Sequence, residues 1–195
     1  MKIIAGDAKG LKLESPPGMQ TRPMNIRVRE SVFDLLQDKV QDALVLDLFA
    51  GSGSLGLEAL SRGARFCYFL ETCKETQQVL VKNINNNHFK ERSKLISYNA
   101  FHILKIWQET EPCQIVFFDP PYHYFDNPIT RRECVQYLGE IAKKITQDKG
   151  LMVLHYRKGA MAGMPVLPPL HIIEDRVYGS TEIMVLEVKN SLISL

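Results

Sequence analysis

The run Val116-Phe117-Phe118-Asp119-Pro120-Pro121-Tyr122 passes from apolar residues straight into an acid, two prolines and an aromatic ring. Those residue types suit one kind of chemistry. An exocyclic amine on an aromatic base is a poor nucleophile, because its lone pair is delocalised into the ring. A carboxylate and a backbone carbonyl that each accept one amine hydrogen draw the nitrogen toward tetrahedral geometry and free the pair to attack an electrophilic methyl. Prolines fix φ and bring no amide hydrogen, so the carbonyl of Pro120 can be held toward a substrate. Tyr122 offers a stacking face worth ~1–3 kcal/mol per base. Asp119, Pro120 and Tyr122 are therefore the candidate catalytic residues. An ordinary strand-to-loop turn would account for the prolines, but not for the acid and the ring beside them.

A second constellation lies upstream. Asp47-Leu48-Phe49-Ala50-Gly51-Ser52-Gly53-Ser54-Leu55-Gly56 contains G-x-G-x-x-G. Glycines there permit a tight turn and close approach of the backbone to a ligand. Glu71 follows Gly51 by 20 residues, where an acid can accept hydrogen bonds from both hydroxyls of a ribose. A nucleoside-bearing cofactor is expected. A dinucleotide would place its pyrophosphate on the glycine amides. S-adenosylmethionine has no phosphate but carries an ammonium, which Asp47 at the strand tip can serve directly or through water.

Both constellations need strands to hold them. From residue 43 onward apolar runs alternate with helical segments. The strands are ALVLD, FCYFLE, KLIS, IVFFD and GLMVLHY, and the helices are Ser54–Ser61, Lys74–Asn85, Ala100–Gln108 and Arg131–Lys144. Continuously apolar strands between helices indicate a parallel sheet covered on both faces. HIIEDRVYG and EIMVLEV then read as an antiparallel hairpin. Upstream, Lys2–Ala5 and Leu11–Glu14 read as two short strands. A helix is expected to start near Pro23 or Met24, with Val28, Val32, Leu35 and Leu36 on one face.

Composition narrows the classes. At 195 residues, 45% apolar and 24% charged, the chain suits one soluble domain with a small appendage. No signal peptide or membrane span is expected. The spacing of Cys67, Cys73, Cys113 and Cys134 and of the five histidines offers no metal site. Reduced thiols in the cytoplasm are expected. Net charge is only +2, yet residues 1–30 hold Lys2, Lys9, Lys12, Arg22, Arg27 and Arg29 against Asp7, Glu14 and Glu30. That surplus fits a polyanionic partner, and Lys9, Lys12, Arg22, Arg27 and Arg29 are the candidate RNA contacts.

D-P-P-Y with IIAG…KG, TRP…RVRESVFDLL and VLDLFAGSGSLGLEALSRGA closely resembles the bacterial 16S rRNA guanine-N2 methyltransferases. The similarity runs from Lys2 to about Tyr122 and resumes at Tyr178-Gly179-Ser180-Thr181. It implies a class I methyltransferase: an α/β, Rossmann-like fold with a seven-stranded, mostly parallel sheet and an antiparallel last strand. To this it adds an N-terminal β-hairpin (residues 1–20) as an RNA-binding appendage to a catalytic domain (21–195). It implies S-adenosyl-L-methionine as cofactor, bordered by Phe49, Gly51, Ser52 and Gly53, with the ribose on Glu71 and adenine against Asn99 and Ala100. It implies guanine on Asp119, Pro120 and Tyr122, 16S rRNA or the small ribosomal subunit as partner, and a monomeric, cytoplasmic enzyme without metal. Asn99 departs from the family's aspartate, which leaves a neutral carbonyl to meet the adenine amine. Rival readings are an adenine-N6 methyltransferase, an NAD-dependent oxidoreductase and a catalytically silent RNA-binding protein. Against the first stands the absence of a large insertion after the fourth strand.

Overall fold

The computed structural model describes residues 1–16 and 24–189. Helix α1 (Ile26–Leu36) precedes β1 (Leu44–Asp47), α2 (Ser54–Ser61), β2 (Phe66–Leu70), α3 (Lys74–Asn86) and β3 (Ser93–Ile96). Besides two short 3₁₀ turns (Gln37–Val40 and Lys90–Arg92), a third (Ala100–Lys105), β4 (Cys113–Phe118), the short α4 (His123–Asp126), α5 (Pro128–Lys144), β5 (Thr146–Arg157), β6 (Leu170–Tyr178) and β7 (Thr181–Val188) complete the order. The sheet runs β3-β2-β1-β4-β5-β7-β6. Strands β1 to β5 are parallel, and β7 is antiparallel to both β5 and β6. The class I methyltransferase architecture is thus present.

Alternation along the strands explains the two layers. In β1 and β4, Val45, Ile115 and Phe117 face α1, α2 and α3. Their neighbours Leu44, Leu46, Val116 and Phe118 face α4, α5 and the third 3₁₀ turn. Successive side chains of a strand point to opposite faces, so runs that look uniformly apolar feed two cores. Gly56 lets α2 lie close against β2. A Cβ there would lie 2.2 Å from the Phe69 ring and 2.7 Å from Cys67 Sγ.

Three local expectations change. α1 starts at Ile26 because the Asn25 side chain accepts the Arg27 amide at 3.0 Å, an N-cap. The helix expected over residues 100–108 is the six-residue 3₁₀ turn, capped by Asn99 and closed where the Ile103 carbonyl receives the amides of Ile106 and Trp107. The N-terminal strands shrink to one antiparallel bridge between Lys2 and Lys12. Ladder pairing stops there because Ile4 and Ala5 give their amides to Glu58 of α2, at 2.7 and 3.0 Å. Asp7 and Ala8 likewise donate to the Ser61 carbonyl and Oγ. Ile3, Ala8 and Leu13 are buried in the core, so the arm is seated on the body.

Candidate active site

The strand order reverses between β1 and β4, and open parallel sheets bind ligands beyond the carboxyl ends at such a point. A cleft of about 970 Å³ lies there. Phe49, Gly51, Ser52, Glu71, Asn99, Ala100, Asp119, Pro120 and Tyr122, all expected from the sequence, line it.

One end is made of backbone. Ala50 donates to the Leu70 carbonyl at 3.0 Å and Leu48 to the Phe117 carbonyl at 3.1 Å, which stitches the glycine loop to both neighbouring strands. Gly51 adopts φ 54°, a left-handed conformation. Glu71 Oε2 accepts the Gly51 amide at 3.1 Å, and Oε1 accepts those of Thr72 and Cys73 at 2.7 and 2.8 Å. A carboxylate offers about four lone-pair directions. Three are taken, so Glu71 retains one for a ligand hydroxyl, where the sequence suggested two. Asn99 is committed as well: its Oδ1 accepts the Phe101 amide at 2.9 Å. The carbonyl expected to meet an adenine amine is therefore also a cap, which leaves Asn99 one lone pair on Oδ1 and its NH2 to offer. The amide of Ala100, first in its turn, has no intrahelical acceptor.

Two expected cofactor contacts lie beneath the loop instead of on the cleft wall. Asp47 is buried, and its Oδ2 accepts the Gly56 amide at 3.1 Å. Burial, before the nearby Asp119 and Glu71 charges, pushes its carboxyl up to about 7. Gly53, at φ 86°, packs so close to Leu80 and Leu57 that a Cβ would lie 2.5 and 2.9 Å away. Both residues shape the loop. Asn83, which no motif singles out, clamps that loop from α3. Its amide nitrogen donates to the Ser52 carbonyl at 2.9 Å and to Glu14 of the arm at 3.0 Å.

The other end is the proline corner. Asp119 directly follows β4, and its Oδ1 lies 2.8 Å from His155 Nδ1. The Pro121 carbonyl accepts the Tyr124 amide, and the Tyr122 carbonyl accepts those of Phe125 and Asp126. No backbone amide among the described residues engages the Pro120 carbonyl. Tyr122 meets the His155 ring edge-on at 5.8 Å, and Arg157 lies over its face at 5.1 Å while standing 3.6 Å from Asp126. Burial and Asp119 raise the Tyr122 phenol above its ordinary range, so it stays a neutral platform. Tyr124 packs on Phe101 at 4.8 Å and lines the cleft, whereas Phe125 is core against Phe118 and Tyr156.

His155 and Arg157 escaped the sequence reading. The usable signal was a polar residue at the carboxyl end of an otherwise apolar strand, one strand over from Asp119.

The basic candidates separate. Lys9, Lys12 and Arg27 are exposed outside the cleft. Arg29 is fully buried, 3.9 Å from Glu58, with its Nη2 donating to the Lys2 carbonyl. The expectation that Arg29 meets RNA is overturned. Arg22 lies outside the described residues. Among the described residues no cluster of His, Cys, Asp or Glu is arranged to hold a metal, and no helix is long and apolar enough to cross a membrane.

Comparison with known proteins places the chain. The family model described as "Conserved hypothetical protein 95" matches residues 1–187. "Ribosomal RNA small subunit methyltransferase D" of Escherichia coli K12 is 40% identical over 122 residues, 63% of this chain and 60% of that protein. Its namesake from Buchnera aphidicola is 40% identical over 121 residues, 62% of each. The match therefore spans about three fifths of these relatives' length. The solved structure of "Putative methyltransferase yhhF" from Escherichia coli superposes with a TM-score of 0.80 at 31% identity, covering 97% of this chain and 98% of that one.

Proposed function

The chain belongs to the Conserved hypothetical protein 95 family, and from that premise we propose that it is an S-adenosylmethionine-dependent methyltransferase acting on the exocyclic N2 of one guanine in 16S rRNA, on the small subunit or an assembly intermediate. A single observation carries the reading: the Asp119 corner and the Glu71–Gly51 loop open into one cleft. The donor set suits the cofactor. Glu71 keeps one acceptor for a ribose hydroxyl, Asn99 and the Ala100 amide offer donors to purine nitrogens, and Leu48, Phe49 and Leu70 give apolar walls. When bound, S-adenosylmethionine supplies an electrophilic methyl on a sulfonium.

The chain's own residues do the rest. Tyr122 receives the flipped base on its ring. Arg157 already covers one face of that ring, so the base takes the opposite face or displaces the guanidinium. Asp119 Oδ2 accepts one hydrogen of the ring-attached amine and the Pro120 carbonyl accepts the other, which localises the nitrogen lone pair. Asp119 is held by His155 and Pro120 by its ring before substrate arrives, and preorganised groups of this kind are usually the largest source of rate. Proton loss follows methyl transfer easily, because an N-methylated arylammonium is a strong acid, so no strong base is required. Lys9, Lys12 and Arg27 contribute phosphate contacts outside the cleft. An NAD-dependent oxidoreductase would have no use for the corner. An adenine-N6 reading shares the corner, and the base identified in the test decides it.

The test is to incubate the protein with labelled S-adenosylmethionine and small subunits from a strain lacking the enzyme, then map the label. A single N2-methylguanine in 16S rRNA is expected. Label on adenine N6, or on DNA alone, would overturn the assignment.

A further inference from the structure

We infer that His155 is the positioning residue of the active site: its Nδ1–H holds Asp119 Oδ1 and thereby presents Oδ2 to the substrate amine. The inference rests on the function proposed above and adds to it a residue from the neighbouring strand. In the parallel register of β4 and β5, Phe118 stands beside Leu154. The next residues along, Asp119 and His155, are accordingly side by side, and their 2.8 Å contact is a consequence of strand pairing.

The direction of the hydrogen bond follows from chemistry. An ionised carboxylate only accepts, so the imidazole must carry its proton on Nδ1. The bond matters because the terminal torsion of an aspartate is broad and roughly two-fold. The Asp119 side chain is 26% exposed at the end of its strand, and no other hydrogen bond to its carboxylate is present among the described residues. His155, only 5% exposed on a paired strand, is the rigid member. The same imidazole meets the edge of Tyr122, whose face carries Arg157. One buried ring thus braces both the amine acceptor and the base platform. A purely structural role, in which His155 merely finds a partner for a buried nitrogen, predicts different kinetics.

Three substitutions separate the two roles. His155→Asn places an amide nitrogen near the position of Nδ1, His155→Gln near Nε2, and His155→Leu removes the donor. With S-adenosylmethionine and undermethylated small subunits, His155→Leu and His155→Gln should lose roughly 10²-fold in kcat, the scale of a misplaced reacting group. His155→Asn should recover most of the loss, and cofactor affinity by calorimetry should be unchanged in all three. Wild-type kcat in the Leu variant, or Asn no better than Gln, overturns the inference. The Asn–Gln pair decides the matter even if the Leu variant does not fold. Nitrogen-15 NMR of the imidazole gives a readout independent of activity. A protonated Nδ1 whose signal shifts in Asp119→Ala is expected, and a proton on Nε2 instead overturns the geometry. A wild-type protein that methylates no RNA while showing the Nδ1–H signal would sink the proposed function and leave the His155–Asp119 contact standing.

Discussion

Glu58 and Asp119 are both carboxylates that meet donors brought from elsewhere in the chain, and the fold uses them in opposite ways. Glu58 is sealed inside α2. It takes the amides of Ile4 and Ala5, the Arg62 side chain at 2.8 Å and the nearby Arg29 charge. Three hydrogen bonds and a buried guanidinium occupy it, tying the N-terminal arm to α2 and α1. Asp119 stands at the mouth of a cleft with one donor, from His155, on one oxygen. A carboxylate whose lone pairs are filled by its own chain is a clasp. One that is steered but left partly empty is available to a substrate. Asp47 falls between them, with one oxygen filled by Gly56 and the other buried without a partner among the described residues.

Removing the clasp should have the largest effect. Glu58→Ala strands a buried guanidinium and orphans two amides. Breaking one side of a buried ion pair costs about 3–5 kcal/mol, so the denaturant midpoint should fall steeply. A midpoint equal to wild type would show that Glu58 is not the clasp. Asp119→Ala should do the converse. Its melting should hardly move, while methyl transfer drops ~10²–10³-fold, the usual loss for one pre-aimed hydrogen-bonding group. Cofactor affinity should survive. If Asp119→Ala unfolds the protein but leaves turnover per folded molecule intact, the contrast between the two acids is wrong.

Asp47 sharpens the comparison through pH. Burial raises its carboxyl from 3.8 to about 7 in the folded protein. Between those values the folded state keeps a proton that the unfolded state has released, so this group's stabilisation is complete below about pH 4 and is lost as pH rises toward 7. Asp47→Asn keeps an acceptor for the Gly56 amide but cannot ionise. Relative to wild type, its denaturant midpoint should improve more at about pH 7.5 than at about pH 5. An equal difference at both would mean that Asp47 is not charged against its surroundings.

What the sequence disclosed follows the range of the forces involved. The strand–helix rhythm, the glycine loop and the acid–proline–proline–tyrosine corner are local, and the chain carried them openly. Arg29 was misread because it looks like a helix-surface cation beside Val28. What buries it is Glu58, 29 residues away in the chain. The seat of the arm was hidden for the same reason: Ile3, Gly10 and Leu13 bond across the turn as a hairpin would, but Ile4 and Ala5 give their amides to a side chain of α2. His155 required the β4–β5 register, and periodicity specifies a strand without specifying the residue opposite.

The smallest effect is expected on the outer surface of the clasped arm. Lys9 and Lys12 are exposed, and their charges hold nothing inside the fold, so reversing both to Glu should leave the melting curve in place. If the arm touches RNA phosphates, each lost contact should lower the magnitude of the salt-dependence slope of log K by ~0.9 for paired RNA geometry close to that of a duplex, or ~0.7 for single strands. Binding titrations against small subunits over a salt series read this directly. Comparison with Glu58→Ala then separates two ways of disabling the arm. Detaching it should affect stability and RNA binding together, whereas discharging it should change the salt slope alone. An unchanged slope in the Lys9→Glu, Lys12→Glu protein would mean that the arm is seated on α2 for stability only, and that the phosphate contacts lie elsewhere, with Arg27 and Arg157 the next cations to test.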